Sequence, residues 1–336
     1  MKILFSSYVF HPSVGGTESA SKILAQQFTA TGHEVHVITE TPGNEVVGAN
    51  YRLTRAPSLG ELIGLLRWCD LLFQNNISLR SLIPALLLRK RILVVHQTWI
   101  QSARGGISWN DRIKRTLLPL VTNVAISKAV ANRLSAPAVV IGNPYDDNAF
   151  RLLPNIARDK TIAFVGRLVS DKGVDLLLLA MKLLLSDGLA PDLTIVGSGP
   201  EEENLRRRAS ELGLARQVTF AGEKSGAALA ELLNRHRILA VPSRWAEPFG
   251  IVALEGIACG CVVIGSKNGG LKEAIGACGL TFENGNERAL ADCLKDLLLH
   301  PEMESNLRQA APEHLPRFES KAMTAAYLKL IQGILA

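Results

Sequence analysis

The feature that most constrains this chain is a regular alternation of strand-like and helix-like segments, which occurs twice. Over the first 150 residues, helix-sized runs separate buried-strand patterns such as "KILFSSYV", "EVHVIT", "DLLFQN" and "RILVVHQ". After a stretch rich in Pro, Asn and Asp, the alternation begins again at "KTIAFVGRL". A βαβ rhythm of this kind predicts parallel strands with helices on both faces of each sheet.

The length of 336 residues also favours two domains, because it exceeds what one core usually supports. We expect a Rossmann-like doubly wound α/β domain over residues 1–153 and a second one over 154–316. A C-terminal helix over 317–336 is expected to pack back on the first domain. Parallel sheets bind ligands at the carboxyl ends of their strands, so two domains facing each other by those ends would enclose a ligand cleft.

The first helix is predicted over residues 17–32, with Thr17 as its N-cap and Gly32 as its stop. The region from Glu287 to the end is predicted to be helical, with breaks near its prolines.

Composition excludes several classes of protein. Hydrophobic residues make up 47% and charged residues 20% of the chain, which is typical of a globular protein. No apolar run reaches membrane-spanning length. The five cysteines are scattered and odd in number, which indicates reduced thiols in the cytoplasm rather than a disulfide framework or a zinc site. The dinucleotide pattern GxGxxG, the P-loop pattern and the metal-binding pattern Asp-x-Asp are all missing from the sequence.

Positive charge is concentrated in the first half. Residues 1–155 carry 16 Lys and Arg against nine Asp and Glu, and the rest of the chain carries 21 against 22. Between residues 80 and 133, ten basic residues accompany one acid, Asp111. The excess is either an ordinary solvated surface or a surface for an anionic partner such as phospholipid. Nucleic acid is disfavoured, because no recognition motif accompanies the charge and aromatic residues are only 5% of the chain.

One segment of this basic region has an apolar stripe. Trp109, Ile113, Leu117 and Leu120 recur at helical spacing between cationic residues. Such a stripe either faces the domain core or rests on an anionic membrane. We expect weak, salt-sensitive contact with anionic lipid, at the inner face of a membrane.

Two glycine-marked loops follow predicted strands. In "HPSVGGTES", Gly15 and Gly16 open a helix whose free N–H groups would suit an anion or polar substrate. The alternative is a tight turn that needs a positive φ. Gly197 lies in a weaker GxG pattern, "VGSGPE". In "VGRLVSDKG", Arg167 and Lys172 are candidates to bind a diphosphate, although cations in loops are often only solvated.

The stretch "AEPFGIVALEG" places Glu247 eight residues before Glu255. Pro248 would suit the first turn of a helix, and the following N–H groups would then form an anion site, from Phe249, Gly250, Ile251 and Val252. A regular helix would separate the two carboxylates by up to about 12 Å. That exceeds the roughly 5–9.5 Å of paired glycosidase carboxylates. The two acids would instead accept hydroxyls at opposite ends of one molecule, or else serve as a helix cap and a surface residue.

These patterns together resemble a known family. "EPFGIVALE" resembles the E-x7-E motif of retaining glycosyltransferases of family 4, which have the GT-B fold. The resemblance extends over nearly the whole chain, through "VVHQT", "AISKAVANRL", "VGRLVSDKG", "TIVGSGPEEENLRRRASELGLARQVTFAG" and "GGLKEAI". It departs at Asn143-Pro144, where members of the family commonly have Asn-Gly.

The resemblance implies a role for each matching position in the second domain, which would bind the donor. Glu255 would hold the ribose hydroxyls of the donor, and Glu247 would face its sugar. Arg167 and Lys172 would bind its diphosphate, and the backbone of residues 249–252 would contact sugar and phosphate.

In the first domain, which would receive the acceptor, Gly15 and Gly16 would approach the donor phosphate. His96 would contact the donor sugar near the reaction centre, although the residues alone favour a strand-end hydrogen bond for it. The resemblance also makes Gly197 of the second domain a donor-binding residue.

The expected activity is transfer of a sugar from a UDP- or GDP-sugar to an acceptor hydroxyl, with retention of configuration and without a metal or another cofactor. The acceptor is expected to be lipid-linked or otherwise anionic. Two alternatives remain open, namely a catalytically silent GT-B subunit that binds nucleotide sugars and a sugar-nucleotide epimerase on the same fold.

Overall fold

The computed structural model describes residues 1–13, 15–43, 49–101 and 106–336, and the chain divides into two compact units. The first unit comprises Met1–Tyr145 together with Phe318–Ala336, and the second comprises Asp146–Arg317. Each unit is built around its own parallel sheet, as the repeated βαβ rhythm predicts. The five cysteines, all within the described ranges, are free thiols.

The first unit contains a seven-stranded sheet in the order β3-β2-β1-β4-β5-β6-β7. Its strands are β1 (Lys2–Ser7), β2 (Glu34–Thr39), β3 (Arg52–Arg55), β4 (Leu71–Asn75), β5 (Arg91–His96), β6 (Thr122–Ala125) and β7 (Val139–Val140). The chain builds outward from β1 to β3 and then returns to pair β4 with the other side of β1. This reversal leaves a crevice at the carboxyl ends of β1 and β4, where such sheets usually bind ligands.

The helices of this unit are α1 (Gly16–Ala30), α2 (Leu59–Trp68), α3 (Leu79–Leu87), α4 (Trp109–Leu117), α5 (Lys128–Ala131) and α14 (Ser320–Leu335). The predicted N-cap at Thr17 is wrong by two residues. Gly15 is the N-cap, because its carbonyl already accepts the N–H of Ser19 at 3.0 Å, and Thr17 lies inside the first turn. The last helix, α14, packs against α1 within this unit.

The second unit has a six-stranded parallel sheet in the order β10-β9-β8-β11-β12-β13. Its strands are β8 (Lys160–Val165), β9 (Leu193–Val196), β10 (Val218–Phe220), β11 (His236–Val241), β12 (Val262–Ser266) and β13 (Gly279–Phe282). Its helices are α6 (Val174–Ser186), α7 (Glu202–Glu211), α8 (Gly226–Arg235), α9 (Ile251–Ala258), α10 (Leu271–Ile275), α11 (Glu287–Leu299), α12 (Pro301–Gln309) and α13 (Ala311–His314). The strand order reverses between β8 and β11.

The boundary between the units lies at Tyr145–Asp146, earlier than the predicted end of the first domain at residue 153. The reason is the side chain of Asn234, at the end of α8. Its amide oxygen accepts the N–H of Leu153 at 2.8 Å, and its amide nitrogen donates to the carbonyl of Arg151 at 2.9 Å. Residues 151–153 are therefore fixed to the second unit.

Tyr327 anchors α14 in the first unit. Its ring is completely buried, and it packs edge-on against Phe28 of α1 and Phe73 of β4 with centroid distances of 6.5 and 5.4 Å. Within the described ranges its hydroxyl has no hydrogen-bond partner, and burial raises its pKa. A buried, unpaired hydroxyl costs stability, whereas the ring contributes by its burial.

We therefore predict that Tyr327→Phe raises the free energy of unfolding by about 1 kcal/mol, because it removes an unsatisfied polar group without loss of ring contacts. Tyr327→Ala should lower the same free energy by about 3–5 kcal/mol, because it leaves a cavity. Urea unfolding of the three proteins measures both effects. A clear loss of stability in the Phe variant would show that the hydroxyl has a partner.

Candidate functional site

The strand order of the second unit brings two of the predicted loops together. β8 and β11 are adjacent parallel strands, with Ile162 opposite Ile238. Arg167 and Lys172 follow β8, and Glu247 follows β11. Because parallel neighbours end at the same edge of the sheet, all three residues lie at the carboxyl edge, where the strand order reverses.

Backbone contacts tie these two loops to each other. Lys172 ends a 3-10 turn that is followed by Gly173 in the left-handed region, with φ of 68°. A Cβ atom at Gly173 would overlap the carbonyl oxygen of Pro242, so only glycine permits this close approach. The N–H of Arg244 donates to the carbonyl of Asp171 at 2.8 Å. The position of Lys172 is therefore set by the loop that carries Glu247.

Lys172 and Glu247 form an ion pair. Lys172 Nζ lies 2.6 Å from Glu247 Oε1, and Ser243 Oγ donates to the same oxygen at 2.6 Å. The side chain of Glu247 is only 12% exposed, so this pair is screened less than a surface pair. The two donors hold the carboxylate in one orientation. The structure thus joins Lys172 and Glu247 in one ion pair. The resemblance had implied a diphosphate contact for Lys172 and a sugar contact for Glu247.

The helix after Glu247 begins later than Pro248 predicts. α9 starts at Ile251, and its N-cap is Gly250 with φ of 108°. The carbonyl of Glu247 accepts the N–H of Gly270 at 2.7 Å, which keeps the preceding segment extended and outside the helix. The predicted separation of about 12 Å between Glu247 and Glu255 therefore does not apply, because the helical rise per residue begins only at Ile251.

The start of α9 still provides backbone donors. The N–H groups of Ile251 and Val252 lie in the first turn of the helix, where no preceding turn supplies carbonyl partners. Such groups attract anions, and the helix dipole adds to this attraction. The helix therefore offers these donors from Ile251 onward, and the anion site predicted for residues 249–252 stays a prediction.

A third loop, after β12, was given no role from the sequence. Gly269 forms a parallel bridge with Glu247, and a Cβ atom at Gly269 would overlap the Glu247 carbonyl oxygen. Ser266 Oγ and Asn284 Nδ2 donate to the carbonyl of Ser243 at 2.7 and 3.0 Å. These contacts hold the backbone at Glu247 and at Ser243, four residues before it. The signal in the sequence was the pair of glycines in "SKNGGLKEA" directly after a buried strand.

Glu255 lies inside α9 and is half-buried. Burial, and to a smaller extent the negative charge of Asp146, raise the pKa of its carboxyl group to about 7. A carboxylate in this environment lacks the water that would stabilise its charge. It gains most from a ligand that donates hydrogen bonds to it.

Arg167 and Gly197 lie on adjacent loops, after β8 and β9. A Cβ atom at Gly197 would overlap the carbonyl oxygen of Gly166, and the N–H of Leu168 donates to the carbonyl of Ser198 at 2.7 Å. Close packing against Gly166 therefore accounts for the glycine at position 197. The contacts between the two loops also position the loop that carries Arg167. Arg167 is exposed, and its guanidinium pairs with no carboxylate of the described chain.

The three predicted site residues of the first unit lie at the carboxyl ends of β1 and β5. Gly15 is extended, with φ of 174°, so a turn that requires positive φ does not explain it, and Gly16 is the first residue of α1. His96 is only 1% exposed, and its Nε2 lies 3.0 Å from Asn123 Oδ1 on β6. Burial lowers the pKa of His96. His96 thus makes the strand-end hydrogen bond that the residues alone favour, and its contact with a sugar stays a prediction.

The sequence patterns did not identify the amide network beside His96. Gln97 and Asn143 exchange two side-chain hydrogen bonds, at 2.9 and 2.6 Å, and Gln97 Nε2 also donates to Asn75 Oδ1 at 2.8 Å. All three amides are buried. Through this network Asn143, near the end of the first part of this unit, is joined to the carboxyl ends of β4 and β5. Asn143 is also the position at which the sequence departs from the family pattern.

Comparison with known proteins identifies the family of this chain. The model of the family "Glycosyl transferases group 1" matches residues 147–314, which is half of the chain. The chain belongs to the group 1 glycosyl transferases. The match covers every site residue of the second unit, including Glu247, Glu255, Arg167 and Lys172.

Similar proteins of this family include two "D-inositol 3-phosphate glycosyltransferase" sequences. The one from Corynebacterium jeikeium is 35% identical over 186 residues, which is 53% of this chain and 44% of that protein. The one from Rhodococcus opacus is 35% identical over 170 residues, which is 48% of this chain and 38% of that protein. The chain therefore spans less than half the length of these relatives.

Solved structures share the fold over the whole chain. Anabaena Alr3699/HepE in complex with UDP has a TM-score of 0.82 at 19% identity, covering 99% of this chain and 100% of that one. Sucrose-phosphate synthase from Thermosynechococcus elongatus has a TM-score of 0.81 at 21% identity, covering 99% and 98%. The predicted fold class, GT-B with two Rossmann-like doubly wound domains, is confirmed.

The raised pKa of Glu255 generates a prediction for stability. Its folded-state pKa of about 7 exceeds the ordinary 4.5, so the unfolded chain loses this proton first as pH rises. The contribution of the group to stability is complete below pH 4.5 and is lost as pH rises through about 7. Glu255→Gln should therefore raise the free energy of unfolding by about 1–3 kcal/mol at pH 8 and leave it nearly unchanged at acid pH.

Urea unfolding at both pH values measures this difference. Glu247→Gln is the matched control, because it breaks the ion pair with Lys172 and should bring no gain at pH 8. A Glu255→Gln protein that is less stable than the parent at pH 8 would contradict the prediction.

Proposed function

We propose that this chain is a retaining glycosyltransferase of family 4, with Glu247 and Glu255 as the two acids of its E-x7-E motif. It would transfer a sugar from a UDP- or GDP-sugar to an acceptor hydroxyl. The observation that carries the proposal is the cluster of Arg167, Lys172 and Glu247 at the reversal of the second sheet, beside the first turn of α9.

The chemistry of this cluster suits a nucleotide-diphosphate sugar. The exposed guanidinium of Arg167, the ammonium of Lys172 and the N–H groups at the start of α9 would bind the diphosphate. Glu247, held by Lys172 and Ser243 through Oε1, would accept a sugar hydroxyl with Oε2. Glu255, as the second acid, would accept the ribose hydroxyls.

Catalysis would rest on positioning and on stabilisation of the departing diphosphate. Negative charge grows on the leaving phosphate as the bond between sugar and phosphate breaks, and Arg167 and Lys172 would stabilise it. The proposed attack occurs on the same face of the sugar, and the leaving phosphate takes the acceptor proton. Because the chain supplies its own cations, we propose that no metal is needed. The contact between His96 and the donor sugar stays a prediction.

The acceptor is proposed to carry negative charge and to bind the first unit, with the second unit as the donor side. The first unit, as the structure divides the chain, carries 17 Lys and Arg against eight Asp and Glu. Two relatives are named for an inositol phosphate, an acceptor that combines hydroxyls with a phosphate. A lipid-linked phosphate would present the same chemistry. A cytoplasmic location stays a prediction, based on the reduced cysteines.

Turnover of UDP- and GDP-sugars without acceptor tests the proposal and its main residue. A transferase should release nucleoside diphosphate slowly in the presence of EDTA. Arg167→Ala should lower the rate at least about thirtyfold, since one preorganised donor contributes about 2–4 kcal/mol. Arg216→Ala is the control, because Arg216 is an exposed arginine of the second unit that lies before β10, at the opposite edge of the sheet.

The alternatives predict other outcomes. A silent binding subunit would bind the nucleotide sugar but would form no nucleoside diphosphate. An epimerase would convert the sugar without any dependence on acceptor. Complete loss of activity with EDTA and rescue by a divalent cation would overturn metal independence. The anomeric configuration of the transferred sugar, measured by NMR, decides between retention and inversion.

The two glutamates should have different effects on nucleotide affinity. Glu255→Gln should weaken binding of free UDP or GDP, because the ribose loses an ionised acceptor. Glu247→Gln should leave that affinity nearly unchanged and slow turnover, because Glu247 is assigned to the sugar. Isothermal titration of both variants at pH 8 measures this, and equal losses of affinity would contradict the assignment.

A further inference from the structure

Apolar residues are exposed at the first position of helix α4 and on either side of the helix, whereas the acid of the helix is turned inward. Trp109 at its first position is 71% exposed, and Leu120, just beyond its end, is 63% exposed. Ile107, just before the helix, is 51% exposed. Asp111, by contrast, is only 5% exposed. This is the reverse of the pattern expected for a surface helix of a globular protein.

Hydrogen bonds cap the start of the helix and join its inner side to the loop after β5. Asp111 and Ser108 form a capping box, with Ser108 N–H donating to Asp111 Oδ2 at 2.9 Å and Asp111 N–H donating to Ser108 Oγ at 3.2 Å. On the same side, Arg115 Nη2 donates to the carbonyl of Ile100 at 2.8 Å. A polar inner face held in this way leaves Trp109 and Leu120 in solvent.

The predicted apolar stripe is therefore divided in the structure. Leu117 packs against the core of the first unit, whereas Trp109 and Leu120 do not. Ile113 lies between these extremes and is half-buried. The interpretation in which the whole stripe faces the core is wrong for the two residues at its ends.

Cations accompany these exposed apolar residues. Arg112 is exposed on α4 itself, and Lys114 is 27% exposed. A second exposed leucine, Leu87 at 80%, ends α3 and is followed by the exposed Arg89 and Arg91. We name the set Ile107, Trp109, Arg112 and Leu120 the α4 surface.

We propose that the α4 surface binds the surface of an anionic lipid bilayer. Trp residues favour the membrane–water interface, and exposed aliphatic side chains next to cations insert among acidic headgroups. The first unit has 17 basic and eight acidic residues, which gives it nine excess positive charges. This net charge of the whole unit attracts anionic lipid. Attachment would be peripheral. No helix within residues 1–13, 15–43, 49–101 and 106–336 has both the length and the apolar character of a bilayer span.

A second copy of the chain fits this surface less well. In a two-fold symmetric dimer the same patch meets itself, which would bring Arg112 and Lys114 of one copy towards those of the other. Like charges at an interface oppose association. An anionic bilayer instead complements them.

The inference goes beyond the proposed transfer reaction and does not depend on it, because lipid binding needs neither donor nor acceptor. It would place the enzyme where a lipid-linked acceptor lies. Co-sedimentation of the full chain with vesicles tests it directly. The vesicles would be phosphatidylcholine alone or phosphatidylcholine with phosphatidylglycerol, at about 0.05 M and about 0.5 M NaCl.

The parent protein should sediment with the anionic vesicles at low salt and should be released from them at high salt. Binding to neutral vesicles should be much weaker. Trp109→Ser combined with Leu120→Ser, and separately Arg112→Glu, should each lower the partition coefficient about tenfold or more. The controls are Leu299→Ser, at an exposed leucine of the second unit, and Arg216→Glu, which should both bind like the parent.

Thermal unfolding and UDP binding of each variant should equal those of the parent, which shows that the variants fold. Three results would overturn the inference. The first is that the parent fails to bind anionic vesicles at low salt. The second is that the α4 variants bind these vesicles as well as the parent does. The third is that the parent is a dimer in sedimentation velocity and that Trp109→Ser dissociates it. A parent that binds vesicles but fails to bind any nucleotide would leave this inference standing and would count against the proposed transferase.

Discussion

The parallel pairing of β8 with β11 is the constraint on which the candidate site depends. Strands β9 and β10 build outward on one side of β8, so the chain must return and pair β11 with the other side. This return leaves the loops after β8 and β11 adjacent, with no crossing helix between them. Lys172 and Glu247, which are 75 residues apart in the chain, are 2.6 Å apart in space for this reason.

Close backbone contacts turn this adjacency into a fixed geometry. Gly173 admits the Pro242 carbonyl, and Gly269 admits the Glu247 carbonyl, so three loops share one packed framework at the edge of the sheet. A ligand that binds beside Lys172 and Glu247 therefore meets side chains whose backbones are already in place. Such preorganisation lowers the cost of binding and, for a transferase, of charge stabilisation.

The two acids predicted for the candidate site have different electrostatic environments. Glu247 has a cation and a hydroxyl as partners, whereas burial raises the pKa of Glu255 to about 7. A buried carboxyl group that lowers stability when ionised and can gain hydrogen bonds from a ligand is typical of binding sites. The exposed Trp109 on α4 is a different case, because it leaves a large apolar side chain in solvent.

The sequence by itself determined the fold class and most elements, because hydrophobic periodicity and turn residues act over short distances. It also determined which residue types gather at the carboxyl edges, since strand ends can be recognised locally. It did not determine the start of α9. Pro248 obeys the local rule for a first helical turn, but the Glu247 carbonyl is bonded to Gly270, a contact between distant loops.

The tertiary structure decided three other features in the same way. They are the orientation of α4, the environment of His96 and the boundary at Tyr145. Arg115 on α4 donates to the carbonyl of Ile100, His96 bonds with Asn123 on the next strand, and Asn234 holds residues 151–153. In the last two cases the partner lies 27 or more residues away in sequence. The local sequence pattern predicts which residues lie at the edge of a sheet or on a helix. Only tertiary packing decides which partner each residue contacts and which face of a helix is buried.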